Sequence, residues 1–509
     1  MRKEPGTHSL GSALTALAQA NPGKAALTFQ GQTLSRDALE RRANQLARAF
    51  AALGVRQHDF VAIILPNGVE FVTSVLACWK LGATPLPMSE RLAPAELDAT
   101  LRLAQPALVV GLDPGVELGL PWVPSSFVPE DTLPDDPLPD CAAYAWKAIL
   151  SGGSTGRPKI IVDGNPGTMG PHALNSTLDA DDTVLVPGPM YHNAGFKHCM
   201  NGLLAGAHVI VMPRFNAQET ITLILQWRVN WVSLVPTMMN RIWKLRESDQ
   251  LPAELPSLRV LYHAGAPCPP WLKEAYIEWL GADRIFEIYG GAENNGLTFI
   301  TGPEWLAHRG SVGRPLPGYD FRILDNAGRD CAPGEIGDIY MKPDSGPGST
   351  YRYIGAPPCP QHEGWETLGD IGYLDQDGYL YICDRSTDMI LRGGANLYPA
   401  EIEAAIDGHP LVWSSAVIGL PDDDLGSRVH AIVHGDTGLT EAALRAHLDE
   451  RLTRYKQPAT FEFVSSPVRD EAGKVRRSAL RADRLASQEP DAFHSTEQDA
   501  CPAIKTTST

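Results

Sequence analysis

The run Ala148-Ile-Leu-Ser-Gly-Gly-Ser-Thr-Gly-Arg-Pro-Lys159 leads an apolar strand into glycines, hydroxyls and a lysine. Glycines let a backbone approach oxygens closely and aim N–H groups at them, while hydroxyls and an ammonium add matched donors. Ser151, Gly153, Ser154, Thr155, Gly156 and Lys159 are therefore candidates for a phosphate cradle, with a plain inter-strand loop as the alternative. The pattern is not G-x-x-x-x-G-K-[ST], because Lys159 lies beyond Pro158 and Ile160 follows it. Other stretches of mixed chemistry come later. They are Pro189-Met-Tyr-His192-Asn-Ala-Gly195, Ala264-Gly265-Ala266-Pro267 and Glu287-Ile-Tyr289-Gly290-Gly-Ala-Glu293. Next are Trp365-Glu-Thr-Leu-Gly-Asp370, Asp384-Arg385-Ser-Thr387, Gly393-Gly394-Ala-Asn396 and Arg469-Asp-Glu-Ala-Gly473-Lys474.

In this order the motifs resemble the adenylate-forming superfamily, which holds acyl-CoA synthetases, nonribosomal adenylation domains and luciferases. The resemblance covers residues 10 to about 482. It implies an α/β fold: a large N-terminal domain of two αβ sheet layers plus a β-barrel, and a small mobile α+β C-terminal domain. It also implies a two-step reaction. ATP and a carboxylate give an acyl-adenylate and pyrophosphate, and a thiol, commonly that of CoA, then displaces AMP.

The same resemblance implies roles. Tyr289 and Gly290 lie where a ring stacks on adenine, Glu287 where an acid accepts from its amino group, and Gly265, Ala266 and Pro267 where backbone borders it. Asp370 resembles the carboxylate that takes both ribose hydroxyls, two acceptors facing two donors. Arg385 resembles the ribose- and phosphate-side arginine. Glu293 resembles the ligand of magnesium, a hard cation suited to oxygen. Lys474 resembles the mobile lysine that meets carboxylate and phosphate, and His192 the gate between acyl pocket and thiol channel. Thr387 falls at the hinge, where the family usually has Asp or Lys, and Gly393 and Gly394 fall on the loop lining the CoA channel.

Four positions depart from the family pattern on the ATP side: Gly152 for a second hydroxyl, Ala292 for a threonine, Ile160 for a glycine and Asp470 for a threonine. Losing two hydrogen bonds to charged groups, at roughly 1.5–3 kcal/mol each, would slow adenylation by about 10² to 10⁴. The leading expectation is an AMP-forming acyl-CoA ligase. The alternatives are an enzyme that mainly thioesterifies a supplied acyl-adenylate, a stand-alone domain loading a carrier protein, and a non-catalytic acyl-adenylate-binding protein. Phe196, Lys197, Gly291, Asn294, Asn295 and Gly296 are expected to line the acyl pocket. Its glycines leave room for a bulky aryl, steroid or terpenoid-like acid.

The elements that must position these groups read as strand–helix–strand units. Ala26–Phe29, Phe60–Leu65, Ala83–Pro87, Val184–Pro187, Val209–Met212, Trp231–Val235 and Val260–Ala264 are apolar strand-like runs. Arg36–Leu53 and Val69–Leu81 have helical periodicity, and the first residues suggest an opening amphipathic helix. Such alternation predicts parallel sheets covered by helices. Residues 113–140, rich in proline and acids, read as a surface connection. Beyond about 310, short β-runs with Gly-rich turns suggest a barrel-like unit. The expected layout is an N-terminal domain over 1–385, a hinge at 386–389, a small domain over 390–485 and a polar tail over 486–509.

The chain has 509 residues, 43% of them hydrophobic, with a formal charge of −17. Such a size and balance excludes a disordered or collagen-like chain and predicts two or three domains. The acidity argues against a nucleic-acid coat. Eight scattered cysteines, without C-x-x-C pairs, fit a reducing cytoplasm. No stretch suits a membrane span, and a homodimer is left open.

Overall fold

The computed structural model describes residues 8–111, 119–151, 158–170, 172, 175–247, 252–471 and 473–486. The expected tail beyond residue 486 and most of the glycine–hydroxyl run, including Gly152, Gly153, Ser154, Thr155 and Gly156, lie outside these residues.

Two αβ layers make the body of the chain. The larger is a nine-stranded sheet whose order runs Arg314–Pro315, Leu297–Thr301, Ile285–Gly290, Val260–His263, Trp231–Leu234, Thr183–Val186, His208–Val211, Ala25–Phe29 and Gln32–Ser35. The pairs from Ala25–Phe29 across to Ile285–Gly290 are parallel, and antiparallel strands close both edges. The second is a four-stranded parallel sheet of Thr84–Pro87, Phe60–Ile63, Leu108–Gly111 and Trp122–Pro124. Strands covered on both faces read as continuous apolar runs, which is why they are visible in the sequence. Within the surface connection expected over 113–140, Trp122–Pro124 forms a short strand. It pairs at a sheet edge, where Pro124 is tolerated because its missing N–H is not needed.

Helices Leu10–Ala20, Arg36–Ala52 and Val69–Lys80 cover the sheets, the first two capped by Ser9 and Ser35, whose hydroxyls accept from Ser12 and Ala38 N–H groups. A buried ion pair, Lys80 Nζ to Glu40 at 2.7 Å, joins the second helix to the third. One large core gathers Phe50, Phe71, Trp79, Trp146, Phe196 and Trp231 between the layers.

The barrel-like unit is a twisted antiparallel sheet. Gly337–Pro343 pairs with Tyr319–Leu324 on one edge and with Asp370–Leu374 and Trp365–Glu366 on the other. Asp370–Leu374 also pairs with Leu380–Arg385, which sets Asp370 opposite Arg385. After a turn at 386–388 comes a small α+β unit with its own core, including Ile402, Ile406, Val417, Val433, Leu444 and Leu448. Its strands Val412–Asp422, Gly426–Gly435 and Thr460–Val464 form one mixed sheet.

Candidate active site

Asp370 and Tyr289 come from different sheets and meet across a cleft. The Tyr289 hydroxyl donates to Asp370 Oδ2 at 2.6 Å, while Arg385 Nε donates to Oδ1 at 3.2 Å. Burial and the facing carboxylate raise the phenol of Tyr289 well above its usual range. Gly265, Ala266, Pro267, Glu287 and Gly290 line the same cleft. Glu287 is engaged by Lys273, whose ammonium donates to Oε2 at 2.5 Å.

Glu293 lies on the turn that leaves strand Ile285–Gly290. Its Oε1 accepts from the Tyr353 hydroxyl at 2.6 Å and stands 3.5 Å from Lys159 Nζ. Tyr353 is a partner that sequence reasoning missed. It is 60 positions from Glu293, and no local spacing links them. A buried carboxylate that faces Lys159 across the cleft is a fitting oxygen ligand for a divalent cation beside phosphates.

The small unit sends Lys474 into this cleft. Burial lowers its pKa, Asp470 and Glu293 oppose that, and Arg385 and Lys159 add to it. The turn is built for the purpose: Lys474 N–H donates to Asp470 Oδ1 at 2.8 Å, and Asp470 N–H returns a bond to Lys474 O at 3.0 Å. Asp470, a departure from the family pattern, thus supplies the acceptor that closes the lysine turn. Gly473 has φ +77°, and a Cβ there would stand 3.0 Å from Thr237 Oγ1 of the large domain. Arg91 to Glu471 at 2.7 Å, and Trp271 Nε1 to Ala404 O at 3.3 Å, tie the two parts in this orientation.

The other departures divide. Ile160 is fully buried in the core beside the smaller sheet, whereas Lys159 and Ile161 line the cleft, so strand alternation removes Ile160 from the site. Ala292 does line the cleft, packed against Ile161, Tyr351 and Cys359 with no hydroxyl to offer.

His192 stands at the cleft and precedes helix Asn193–Ala205. Burial first, and Lys474 second, lower its pKa to about 4, so the ring is neutral at pH 7. Lys197, Gly291 and Asn294 line the cleft. Phe196 does not. It is fully buried, edge-on to Trp79 and Trp146 with ring centroids at 6.4 and 5.8 Å, because one residue of helix rotates it about 100° from Lys197. Asn295 and Gly296 also turn away from the lining. Asn295 is fully buried, and a Cβ on Gly296 would lie 2.5 Å from Met341. Gly393 and Gly394 sit on the turn between Ile390–Arg392 and Ala395–Leu397, outside the lining, and Gly393 N–H bonds Leu425 O at 2.8 Å. Thr387 is exposed in the turn between the two units and borders the cleft.

With this geometry in hand, comparison with known proteins is decisive. Residues 14–353 match the model of the AMP-binding enzyme family, and 401–474 match that of the AMP-binding enzyme C-terminal domain. The chain belongs to this family, the adenylate-forming superfamily, in its acyl-CoA synthetase branch. It is 30% identical to a 2-succinylbenzoate–CoA ligase of Bacillus licheniformis over 91% of this chain and 98% of that one. It is 32% identical to a long-chain-fatty-acid–CoA ligase of Mycobacterium tuberculosis over 87% and 92% of the two chains. The o-succinylbenzoate CoA synthetase of Bacillus subtilis, solved with ATP and a magnesium ion, superposes with a TM-score of 0.77 at 27% identity over 92% and 98% of the chains. This family member is an AMP-forming acid–thiol ligase using ATP, magnesium and CoA. No helix among the described residues is long and apolar enough to cross a membrane.

Proposed function

We propose that this ligase joins a bulky carboxylic acid of the aryl, steroid or terpenoid-like kind to CoA through an acyl-adenylate. The observation that carries the reading is the single cleft bordered by Tyr289, Asp370, Glu293, His192 and Lys474, with Lys474 delivered by the small domain. Tyr289 and the Gly265–Pro267 backbone flank the adenine. Each oxygen of Asp370 already accepts one hydrogen bond and retains a lone pair for a ribose hydroxyl. Lys474 holds the attacking carboxylate against the α-phosphate, where its charge offsets the negative charge gathered as the acyl–phosphate bond forms and the bond to pyrophosphate breaks. Glu293, oriented by the Tyr353 hydroxyl, would hold magnesium, which supplies charge neutralisation along the phosphates. Neutral His192 closes the acyl side without adding a second cation beside Lys474.

For the second step the small domain rotates about Thr387 and withdraws Lys474, and the Gly393–Gly394 turn replaces it as the wall of the CoA channel. The thiol sulfur then attacks the acyl carbon, and AMP leaves. Ala292 favours a second reading in which adenylation is the slower half and thioesterification of a supplied acyl-adenylate dominates. The test is pyrophosphate release and thioester formation measured side by side over an acid panel, with synthetic acyl-adenylates as a parallel feed. Rapid pyrophosphate release with the preferred acid removes the second reading. Failure of every acid and every acyl-adenylate to give a CoA thioester removes both.

A further inference from the structure

Helix Asn193–Ala205 presents two faces. Phe196, Cys199, Met200, Leu203 and Leu204 enter the core, whereas Asn193, Lys197, His198 and Asn201 line the cleft. Positions 193, 197 and 201 follow the i, i+4, i+8 spacing of one helical stripe. The three polar groups of this stripe, and His198 beside it, lack partners. Asn193 Oδ1, His198 Nδ1 and Asn201 Oδ1 accept or donate no hydrogen bond, and among the described residues none bonds or ion-pairs with the Lys197 ammonium. Asn201 is 1% exposed and His198 is 6% exposed, so both border the cleft with little surface open to it. Buried polar groups in native proteins are nearly always satisfied, and a cluster that is not calls for a ligand.

The charge nearby has a definite sign. Behind Lys197, Lys147 and Asp163 pair at 3.0 Å, each almost wholly buried, and Asn294 Nδ2 donates to the same aspartate at 3.1 Å. Asp163 is shared between the two lysines, so the three groups keep one net positive charge beside the cleft. It also stands apart from the phosphate end. Lys159 and Asp163 are opposite ends of strand Lys159–Asp163, about 13 Å apart at about 3.3 Å per residue. Burial, and then Lys147, lower the pKa of Lys197 to about 8, a cost that a bound anion removes.

We propose that the acyl pocket selects acids bearing a second carboxylate, which Lys197 pairs as counter-ion while His198 and the amides of Asn193 and Asn201 donate to its oxygens. His198 donates through Nδ1 in one tautomer, and either amide can turn its NH₂ inward. This rests on the ligase reading above and narrows its substrate to a dianionic acid with an apolar middle, for which Val235, Tyr262 and Phe299 form the walls.

The test uses matched pairs: 4-carboxycinnamate against 4-carbamoylcinnamate, and nonanedioate against its monoamide. Thioester formation with ATP and CoA gives kcat/KM for each. Binding of the corresponding acyl-sulfamoyl adenosines, read by calorimetry, gives affinity without turnover. The dianionic member is expected to win by about 10- to 100-fold. Lys197→Met brings the ratio to within about threefold of one, and Lys197→Arg restores most of it. Equal or better use of the neutral members by the wild-type enzyme in both pairs overturns the proposal, even if the methionine variant fails to fold. Should no acid yield a thioester, the ligase reading fails, and the calorimetric pairs still decide this one.

Discussion

The Tyr289 hydroxyl donates to Asp370 Oδ2 at 2.6 Å, so strand Ile285–Gly290 of the nine-stranded sheet and the antiparallel sheet are pinned together at the cleft. The bond does two things. It orients the carboxylate beside the cleft, and it holds the ring that, on the proposed reading, faces adenine. Asp370→Ala is expected to lower kcat/KM for ATP by about 10² to 10³, and Tyr289→Phe by about 10 to 100 from one lost bond to a charged acceptor. Pyrophosphate–ATP exchange measures both. Unchanged exchange in Asp370→Ala would remove the residue from nucleotide binding.

Lys474 reaches the cleft from a turn that abuts Thr237, and this makes the two half-reactions separable. Lys474→Ala is expected to slow adenylation by about 10² to 10³ while leaving thioester formation from a synthetic acyl-adenylate within about threefold. Gly473→Ala strains a backbone at φ +77° and presses on Thr237 Oγ1, so it too should slow adenylation more than thioesterification. Equal losses in both half-reactions would mean that the observed domain orientation is not specific to the first step.

Much of this was legible in the chain itself, and the reasons are physical. Strands buried on both faces appear as apolar runs: Val209–Met212 is offset by one residue from His208–Val211, and Trp231–Val235 overruns Trp231–Leu234 by one. Chemistry-bearing motifs also keep their local order, so Tyr289, Asp370 and Lys474 could be named before any coordinates. Pairings across the fold leave no such trace. Tyr353 with Glu293 and Asn294 with Asp163 are set by which sheets abut, and no periodicity encodes that. Phe196 shows the opposite limit: adjacency to Lys197 in sequence places it on the wrong side of a helix.

Phe196 belongs to the core, so its removal should act on stability. Phe196→Ala leaves a cavity between Trp79 and Trp146 and is expected to cost about 3–5 kcal/mol. Urea denaturation gives the loss. At a temperature where the variant is folded, its ranking of acids should match the wild type. A changed ranking would return Phe196 to the acyl pocket.

Asp407 links stability to pH in the small domain. Burial raises its pKa from 3.8 to about 6, against the pull of Arg469 and a hydrogen bond from Ser415 Oγ at 2.6 Å. Between these two values the folded chain holds a proton that the unfolded chain has lost. The slope of unfolding free energy with pH is then negative, so this group's contribution falls as pH rises from about 4 to 6 and is constant above. Asp407→Asn removes the titration. Its stability relative to wild type should be flat below pH 4, climb between pH 4 and 6, and level off about 1–2 kcal/mol higher, less than the roughly 3 kcal/mol of a full two-unit shift because the side chain is only half-buried. Urea denaturation of both proteins at pH 4, 5, 6 and 8 reads that difference directly. A difference that stays constant over the series would show that Asp407 titrates alike in the folded and unfolded chains.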